Sequence, residues 1–185
     1  MTVIDLPRTT EIEERLSTPR LRTIEVTCAV GDGPTTLAAF DDALLRNGVG
    51  NFNLLRLSSV IPPGTEVVAA SGRPDVPGDW GDRLYVVMAE MRVDRPGREA
   101  WAGIGWVQHE ETGRGLFVEH EGYSEYSVRN DIDTSLAALV ASRPGTRFGP
   151  VQSQVVGGRC DGQPICAMAV AVYEAQGWTV DMRGD

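Results

Sequence analysis

The spacing of apolar and polar positions predicts two helices in this chain. The first is capped by Thr35 or Thr36, carries apolar residues at helical spacing and runs to about Asn47. The second begins at Ser124, a good N-cap residue, and reaches about Ser142 with one apolar face. Both segments are long enough to form ordinary helices of a globular protein.

Runs rich in β-branched residues, many of them alternating with polar ones, predict the strands. These cover residues 22–30, 51–57, 66–70, 84–91, 101–108, 115–119, 148–156 and 165–173. Many consecutive strands with only two sizeable helices indicate an α+β protein with a mostly antiparallel sheet. Residues 1–20 are predicted to form an extension or a short helix, and residues 71–82 a surface loop.

Composition places the chain among soluble globular proteins. Its 185 residues, 42% hydrophobic and 23% charged, most simply form one domain over residues 1–185 with an ordinary core. A formal charge of −9 repels phosphate backbones, so we expect no nucleic-acid partner. Residues 1–22 lack the apolar core of a signal peptide, and the run 165–173 is too short to cross a bilayer. We therefore expect a cytoplasmic protein without a membrane partner.

The three cysteines, Cys28, Cys160 and Cys166, are odd in number and widely spread. This spacing argues against a disulfide framework and fits a reducing compartment. Cys160 and Cys166 are too few for a zinc site, and only two histidines are available to help them. We expect small buried hydrophobic residues and no metal.

The first candidate for chemistry is a pair of adjacent serines. Residues 56–63 read Arg-Leu-Ser-Ser-Val-Ile-Pro-Pro, so the pair ends a predicted strand just before two prolines. The hydroxyl of Ser59 can attack the carbonyl of Ser58 and turn the amide into an ester. Loss of the α-proton of residue 59 then eliminates the Ser58 carboxylate and leaves dehydroalanine, which hydrolyses to a pyruvoyl group and ammonia. On spacing alone, an ordinary turn or strand end remains the more common interpretation.

Three further polar residues stand at unusual places. Asp41 falls at the edge of the apolar arc that Leu37, Phe40 and Leu44 define on the first helix, whereas Asp42 should be a solvated charge. A buried carboxylate needs a partner, which is either an internal arginine or backbone amide, or a guanidinium-bearing ligand.

Asn53 lies within a predicted strand, where asparagine is unfavourable, and strict alternation puts it on the same face as Ser59. A straight strand would hold the two roughly 20 Å apart, so a contact needs a bend or a second subunit. Satisfaction of an edge backbone group is the alternative role for Asn53.

Glu119 ends the apolar strand in residues 115–122, Gly-Leu-Phe-Val-Glu-His-Glu-Gly. A carboxyl group at such a position suits proton donation, although most residues of this kind are plain strand-end charges. Alternation points His120 away from Glu119, so His120 is an unlikely base.

These motifs together resemble the pyruvoyl-dependent arginine decarboxylases. The similarity is strongest over residues 37–63, resumes at 115–122 and is weaker at 166–171. The resemblance implies an αββα sandwich assembled as a trimer or a dimer of trimers, with active sites between subunits. It also implies cleavage between Ser58 and Ser59 into a β chain, 1–58, and an α chain, 59–185, with Ser59 becoming the pyruvoyl cofactor.

The same resemblance implies roles for single residues. Asp41, in Ala39-Phe40-Asp41, matches the aspartate that binds the substrate guanidinium, and Asn53 matches an asparagine that assists processing or catalysis. Glu119 matches the general acid, and the carboxylate released from Ser58 would add negative charge for a cationic substrate. Asp42 and His120 depart from the family pattern, where a smaller residue and an aromatic residue are usual.

The expected activity is the decarboxylation of L-arginine to agmatine and CO2. Two alternatives remain open: the same chemistry on another cationic amino acid, and a non-catalytic paralogue that regulates a true decarboxylase by mixed assembly. The joint presence of Ser59 and Glu119 disfavours the second.

Overall fold

A computed structural model describes residues 22–178 with the exception of residues 71 and 75, so the predicted N-terminal extension lies outside the described residues. The described part contains two helices, α1 (Thr36–Arg46) and α2 (Glu125–Ala141). The strands are β1 (Arg22–Asp32), β2 (Asn53–Arg56), β3 (Val60–Ile61), β4 (Thr65–Ala69), β5 (Arg83–Val93), β6 (Glu99–Gln108), β7 (Gly115–Gly122), β8 (Gln152–Arg159) and β9 (Ile165–Gln176).

Both helices begin where the sequence predicts. Thr35 caps α1 by accepting a hydrogen bond from the backbone N–H of Ala38, and Ser124 caps α2 through the N–H of Ser127. Each side chain satisfies one of the amide groups that a helix leaves free at its start. The predicted caps and lengths of both helices are confirmed.

The strands form two sheets. The five-stranded sheet has the order β2-β5-β9-β1-β4, and the four-stranded sheet has the order β3-β7-β6-β8. The β1–β4 and β2–β5 pairs are parallel, and the other pairs are antiparallel. The predicted α+β class with mostly antiparallel pairing is confirmed.

The core explains how the layers stack. Strand β9 is buried on both faces, so it reads as a continuous apolar run. Its larger side chains, such as Met168 and Val170, pack in a cluster with α1, whereas Ala169 and Ala171 pack in a second cluster with residues of the four-stranded sheet. The other face of the four-stranded sheet packs against α2. The resulting order of helix, sheet, sheet and helix is compatible with the expected sandwich.

One predicted strand is displaced. A strand is predicted at residues 148–156, but β8 covers Gln152–Arg159. Phe148 forms only an isolated bridge to His109, and Pro150 has no N–H for a ladder. At the other end β8 runs through Gly157. The Trp101 ring lies over this residue, and an added Cβ would come within 2.1 Å of a ring carbon, so a glycine is needed there.

The cysteines are free, as predicted. Cys160 and Cys166 are buried, and Cys28 is half-buried. Burial raises the pKa of Cys28 and of Cys166 to about 12, so both stay protonated and unreactive.

Candidate active site

The Ser58–Ser59 pair lies where the chain crosses from one sheet to the other. The N–H of Leu57 still donates to the Val86 carbonyl at 2.9 Å, which extends the pairing of β2 with β5. Three residues later, Val60 pairs with Leu116 as β3 joins β7 in the four-stranded sheet. The strict alternation predicted through residue 59 is therefore wrong, because the strand leaves its sheet before reaching the serines.

Ser59 has an unusual backbone conformation. Its φ of 67° makes it the only non-glycine residue with a positive φ in the described part of the chain. The left-handed region costs an L-residue roughly 1–2 kcal/mol and persists only where the surroundings fix it. One such constraint is the N–H of Phe117, which donates to the Ser59 carbonyl at 2.8 Å.

This conformation brings the side chain of Ser59 towards the preceding carbonyl. Around the N–Cα bond of an L-residue, Cβ and the carbonyl carbon lie about 120° apart. At an ordinary φ near −60°, Cβ is therefore anti to the carbonyl carbon of residue 58, out of reach for its hydroxyl. At a φ of 67°, Cβ is gauche to that carbon, which is the arrangement needed to close a five-membered ring through Oγ.

Glu119 meets the hydroxyl of Ser59. Side chains alternate along β7, so Phe117 and Glu119 share the face towards the five-stranded sheet, and Phe117 packs in the cluster between the sheets. Ser59 Oγ donates a short hydrogen bond to Glu119 Oε1, and both residues are half-buried. The structure thus brings together two residues that are 60 positions apart and that the sequence nominated separately.

His120 points to the opposite side of β7. Its Nε2 lies 2.8 Å from the hydroxyl of Ser135 on α2. The predicted orientation away from Glu119 is confirmed, since alternation sends the two side chains to different layers.

The junction borders two cavities. One has a volume of about 500 Å³ and is lined by Ser58, Ser59, Glu119, Arg143 and by further side chains of β7 and α2, both apolar ones and the polar His120 and Ser135. Among the described residues, Glu119 is the only carboxylate in this lining. The other has about 360 Å³ and lies against the end of β9, and Ser58 and Val60 belong to both. Each cavity is large enough for part or all of an amino acid.

Asp41 and Asp42 occupy the reverse of the predicted environments. Asp41 is exposed, whereas Asp42 is half-buried, pairs with Arg46 at 2.8 Å and accepts the N–H of Asp32 at 2.9 Å. The cause is the close contact of α1 with β1 at Gly31, where an added Cβ would lie 2.2 Å from the Ala43 backbone.

This contact puts the small residues of the helix inside. The buried face of α1 consists of Ala39, Ala43 and Leu44, while Leu37 is 67% exposed. The predicted apolar arc through Leu37 is therefore wrong, and with it the predicted edge position of Asp41.

Asn53 also lies apart from the serines. It opens β2, is exposed, and its side-chain amide donates to the Gly81 carbonyl at 2.5 Å. Neither Asn53 nor Asp41 lines the cavities at the junction. A single chain therefore assembles Ser58, Ser59 and Glu119 but leaves Asp41 and Asn53 on its surface.

One residue at the junction had no sequence prediction. Tyr173, near the end of β9, donates its hydroxyl hydrogen bond to the Val60 carbonyl at 3.1 Å. The sequence does contain a signal for this role. Tyr173 is the single tyrosine in a strand rich in alanine and valine, and a partly buried tyrosine hydroxyl needs a hydrogen-bond partner.

The described residues hold no cluster of three or more His, Cys, Asp or Glu side chains suited to a metal ion. Within the same residues, neither helix is long and apolar enough to cross a membrane.

Comparison with known proteins gives a family match that covers nearly all of the described chain. The sequence model of the family "Pyruvoyl-dependent arginine decarboxylase" covers residues 23–176. A protein of that name from Halobacterium salinarum is 40% identical over 157 residues, which are 84% of this chain and 94% of the relative. Another from Thermococcus kodakarensis is 32% identical over 144 residues, 78% of this chain and 89% of the relative.

Proposed function

This chain belongs to the pyruvoyl-dependent arginine decarboxylase family, and on that premise we propose that it cuts itself between Ser58 and Ser59 and then decarboxylates L-arginine to agmatine and CO2. The observation that carries the proposal is the conformation of Ser59. Its left-handed φ turns Cβ towards the Ser58 carbonyl, and its hydroxyl is hydrogen-bonded to a carboxylate.

The cleavage uses groups already in contact. Glu119 takes the proton as Ser59 Oγ bonds to the carbonyl carbon of Ser58, and it returns that proton to the nitrogen of residue 59 as the C–N bond breaks, which leaves an ester and a free amine. Removal of the α-proton of residue 59 then breaks the Cβ–Oγ bond and releases the Ser58 carboxylate. The dehydroalanine that remains takes up water, loses ammonia and becomes the pyruvoyl group.

The residues of the junction fit a pyruvoyl group at position 59. The carbonyl of residue 59 is already held by the Phe117 N–H, and the Val60 carbonyl by Tyr173. The side of residue 59 that carries the hydroxyl faces Glu119 and a cavity of about 500 Å³. When present, such a group supplies an electron sink for the loss of CO2, as pyridoxal phosphate does in other enzymes.

The protein supplies the proton for decarboxylation and a partly apolar cavity beside residue 59. Glu119 is the general acid, because it is the carboxyl group nearest residue 59 and delivers its proton to the carbon that loses CO2. The cavity beside that carbon has a mixed wall, with Leu116, Val118 and Leu139 next to His120 and Ser135. The Ser58 carboxylate released by cleavage adds negative charge beside a cationic substrate.

The family resemblance assigns the substrate guanidinium to Asp41, and we propose that this Asp41 belongs to another copy of the chain. In this cavity Glu119 serves residue 59 as a proton carrier, and Arg143, which also lines the cavity, disfavours a cationic group there. Asp41 and Asn53 are exposed and separate from their own Ser59, so they are free to enter a neighbour's site. We therefore propose a homo-oligomer, and the family resemblance implies a trimer or a dimer of trimers.

A substrate panel tests this assignment. Release of CO2 is measured from arginine, ornithine, lysine and histidine with the purified protein and with a Ser59→Ala variant as control. We expect turnover of arginine alone by the wild-type chain and of nothing by the variant. Turnover restricted to a substrate without a guanidinium would overturn the arginine assignment, and an uncut, inert wild-type chain would favour a regulatory paralogue.

A further inference from the structure

The carbonyl groups just after the junction are held from two different sheets. β3 is an edge strand of its sheet. The carbonyl of Ser59, just before β3, accepts a hydrogen bond from the Phe117 N–H of β7. In antiparallel pairing the next carbonyl, that of Val60, faces away from β7 and has no ladder partner. Tyr173 supplies that partner from the five-stranded sheet, with its hydroxyl 3.1 Å from the Val60 carbonyl oxygen.

The ring of Tyr173 is itself fixed. It packs edge-on against Phe117 with the ring centroids 6.2 Å apart, and Phe117 packs in turn against Trp106. The residue that anchors the Ser59 carbonyl and the residue that anchors the Val60 carbonyl are therefore in direct contact. Burial and the nearby Glu119 carboxylate raise the pKa of Tyr173, so its hydroxyl remains a protonated donor.

We infer that Tyr173 is a positioning residue for self-cleavage, which holds residue 59 in the left-handed conformation through its bond to the Val60 carbonyl. The inference rests on the proposed function. A left-handed serine needs constraints on its following residues to persist, and β3 provides only two paired residues. Without the tyrosine hydroxyl, the Val60 carbonyl is free to rotate, and residue 59 can relax to a negative φ that turns its Cβ away from the Ser58 carbonyl.

The test compares Tyr173→Phe with Tyr85→Phe. Both tyrosines line the cavity of about 360 Å³, but the Tyr85 hydroxyl bonds to Gln176, 2.9 Å away, and not to the junction. Newly synthesised chain is followed by intact mass to obtain the first-order rate of cleavage, and the melting temperature of each variant is recorded. We expect Tyr173→Phe to slow cleavage about tenfold, which corresponds to about 1.4 kcal/mol, and Tyr85→Phe to leave the rate unchanged at a similar melting temperature.

A second readout separates positioning from general loss of stability. In an uncut Ser59→Ala background, deuterium uptake of peptides covering residues 57–61 is expected to rise about tenfold with Tyr173→Phe and to stay constant with Tyr85→Phe. Wild-type rates of both cleavage and exchange in Tyr173→Phe would overturn the inference, as would slowing that tracks the melting temperature in both variants. If the wild-type chain itself stays uncut, the proposed function fails, and the exchange of residues 57–61 alone decides the role of Tyr173.

Discussion

Residue 59 combines a costly backbone conformation with a reactive side chain. A left-handed serine is stable only because neighbouring groups hold it, and here the same groups aim its hydroxyl at Glu119 and its Cβ at the Ser58 carbonyl. The sequence nominated Ser59 and Glu119 separately, and the structure places them in hydrogen-bond contact. The sequence could not show the positive φ, because serine has no preference that announces it.

At this scale the first prediction concerns Glu119. Glu119→Gln keeps a side chain that can hydrogen-bond to Ser59 but removes the group that accepts and donates a proton. We expect the cleavage rate, and the turnover of any cut protein, to fall by about 10²–10⁴. The control is Glu121→Gln, two residues along β7 and exposed, which should retain the wild-type rates. Equal losses in both variants would show that the strand, and not the carboxyl group, is what matters.

The second prediction distinguishes the two neighbouring aspartates. Asp41→Asn should lower kcat/KM for arginine by about 100-fold through a higher KM, because a charged partner of the guanidinium is lost. Asp42→Asn weakens only the partly exposed pair with Arg46 and the bond from the Asp32 N–H, so it should cost about 1 kcal/mol or less and leave KM unchanged. Steady-state kinetics and thermal melting separate the two, and a raised KM for Asp42→Asn would contradict the assignment.

At the scale of elements, the sequence correctly predicts those features that depend on neighbouring residues along the chain. The N-caps Thr35 and Ser124 and the lengths of α1 and α2 follow from capping and periodicity. The buried face of α1 does not follow from these signals. Gly31, which lies on β1 and outside the helix, decides which residues of α1 can approach the sheet. The predicted position of β8 was wrong for a similar reason, because the register of this strand is set by its pairing with β6.

The third prediction follows from the contact at Gly31. An alanine there would place its Cβ 2.2 Å from the backbone N of Ala43, and backbone atoms cannot move aside cheaply. We expect Gly31→Ala to destabilise the fold by about 2 kcal/mol or more and to lower the melting temperature by about 5 °C, measured in the uncut Ser59→Ala background. Gly72→Ala, with no atom within 4 Å of the added Cβ, should change neither by a measurable amount. An unchanged melting temperature for Gly31→Ala would show that α1 is not seated on β1.

For the whole molecule, the proposed cut need not separate the two pieces. Strands β1 and β2 come before residue 59, yet they belong to a five-stranded sheet with β4, β5 and β9, which follow it. β1 lies between β9 and β4, and Ile24 and Val26 are buried in the cluster between the sheets. The two chains therefore share one core and should remain together without denaturant.

At the scale of the whole molecule, a single chain accounts for only part of the proposed site. The family resemblance implies that Asp41, Asn53, Ser59 and Glu119 act in one site, but one copy brings only Ser59 and Glu119 together. The proposed site also draws on the surface of another copy, so no pattern within one chain completes it.

The fourth prediction tests that shared site. Ser59→Ala and Asp41→Asn chains are each expected to be poorly active alone, because every site lacks one group. Co-expressed in equal amounts, they should form some sites with Ser59 from one chain and Asp41 from the other. Random assembly gives each such pairing with a probability of one half times one half, so about a quarter of wild-type activity should return. No recovery in co-assembled protein would place both residues in the site of one chain.

The most direct test of the central claim is the intact mass of the purified protein under denaturing conditions. We predict two chains, residues 1–58 and residues 59–185, with the second lighter by one ammonia than the same chain beginning with serine. Ser59→Ala should give one chain of full length. A wild-type protein that remains a single uncut polypeptide, or one whose second chain begins with an ordinary serine, would contradict the account.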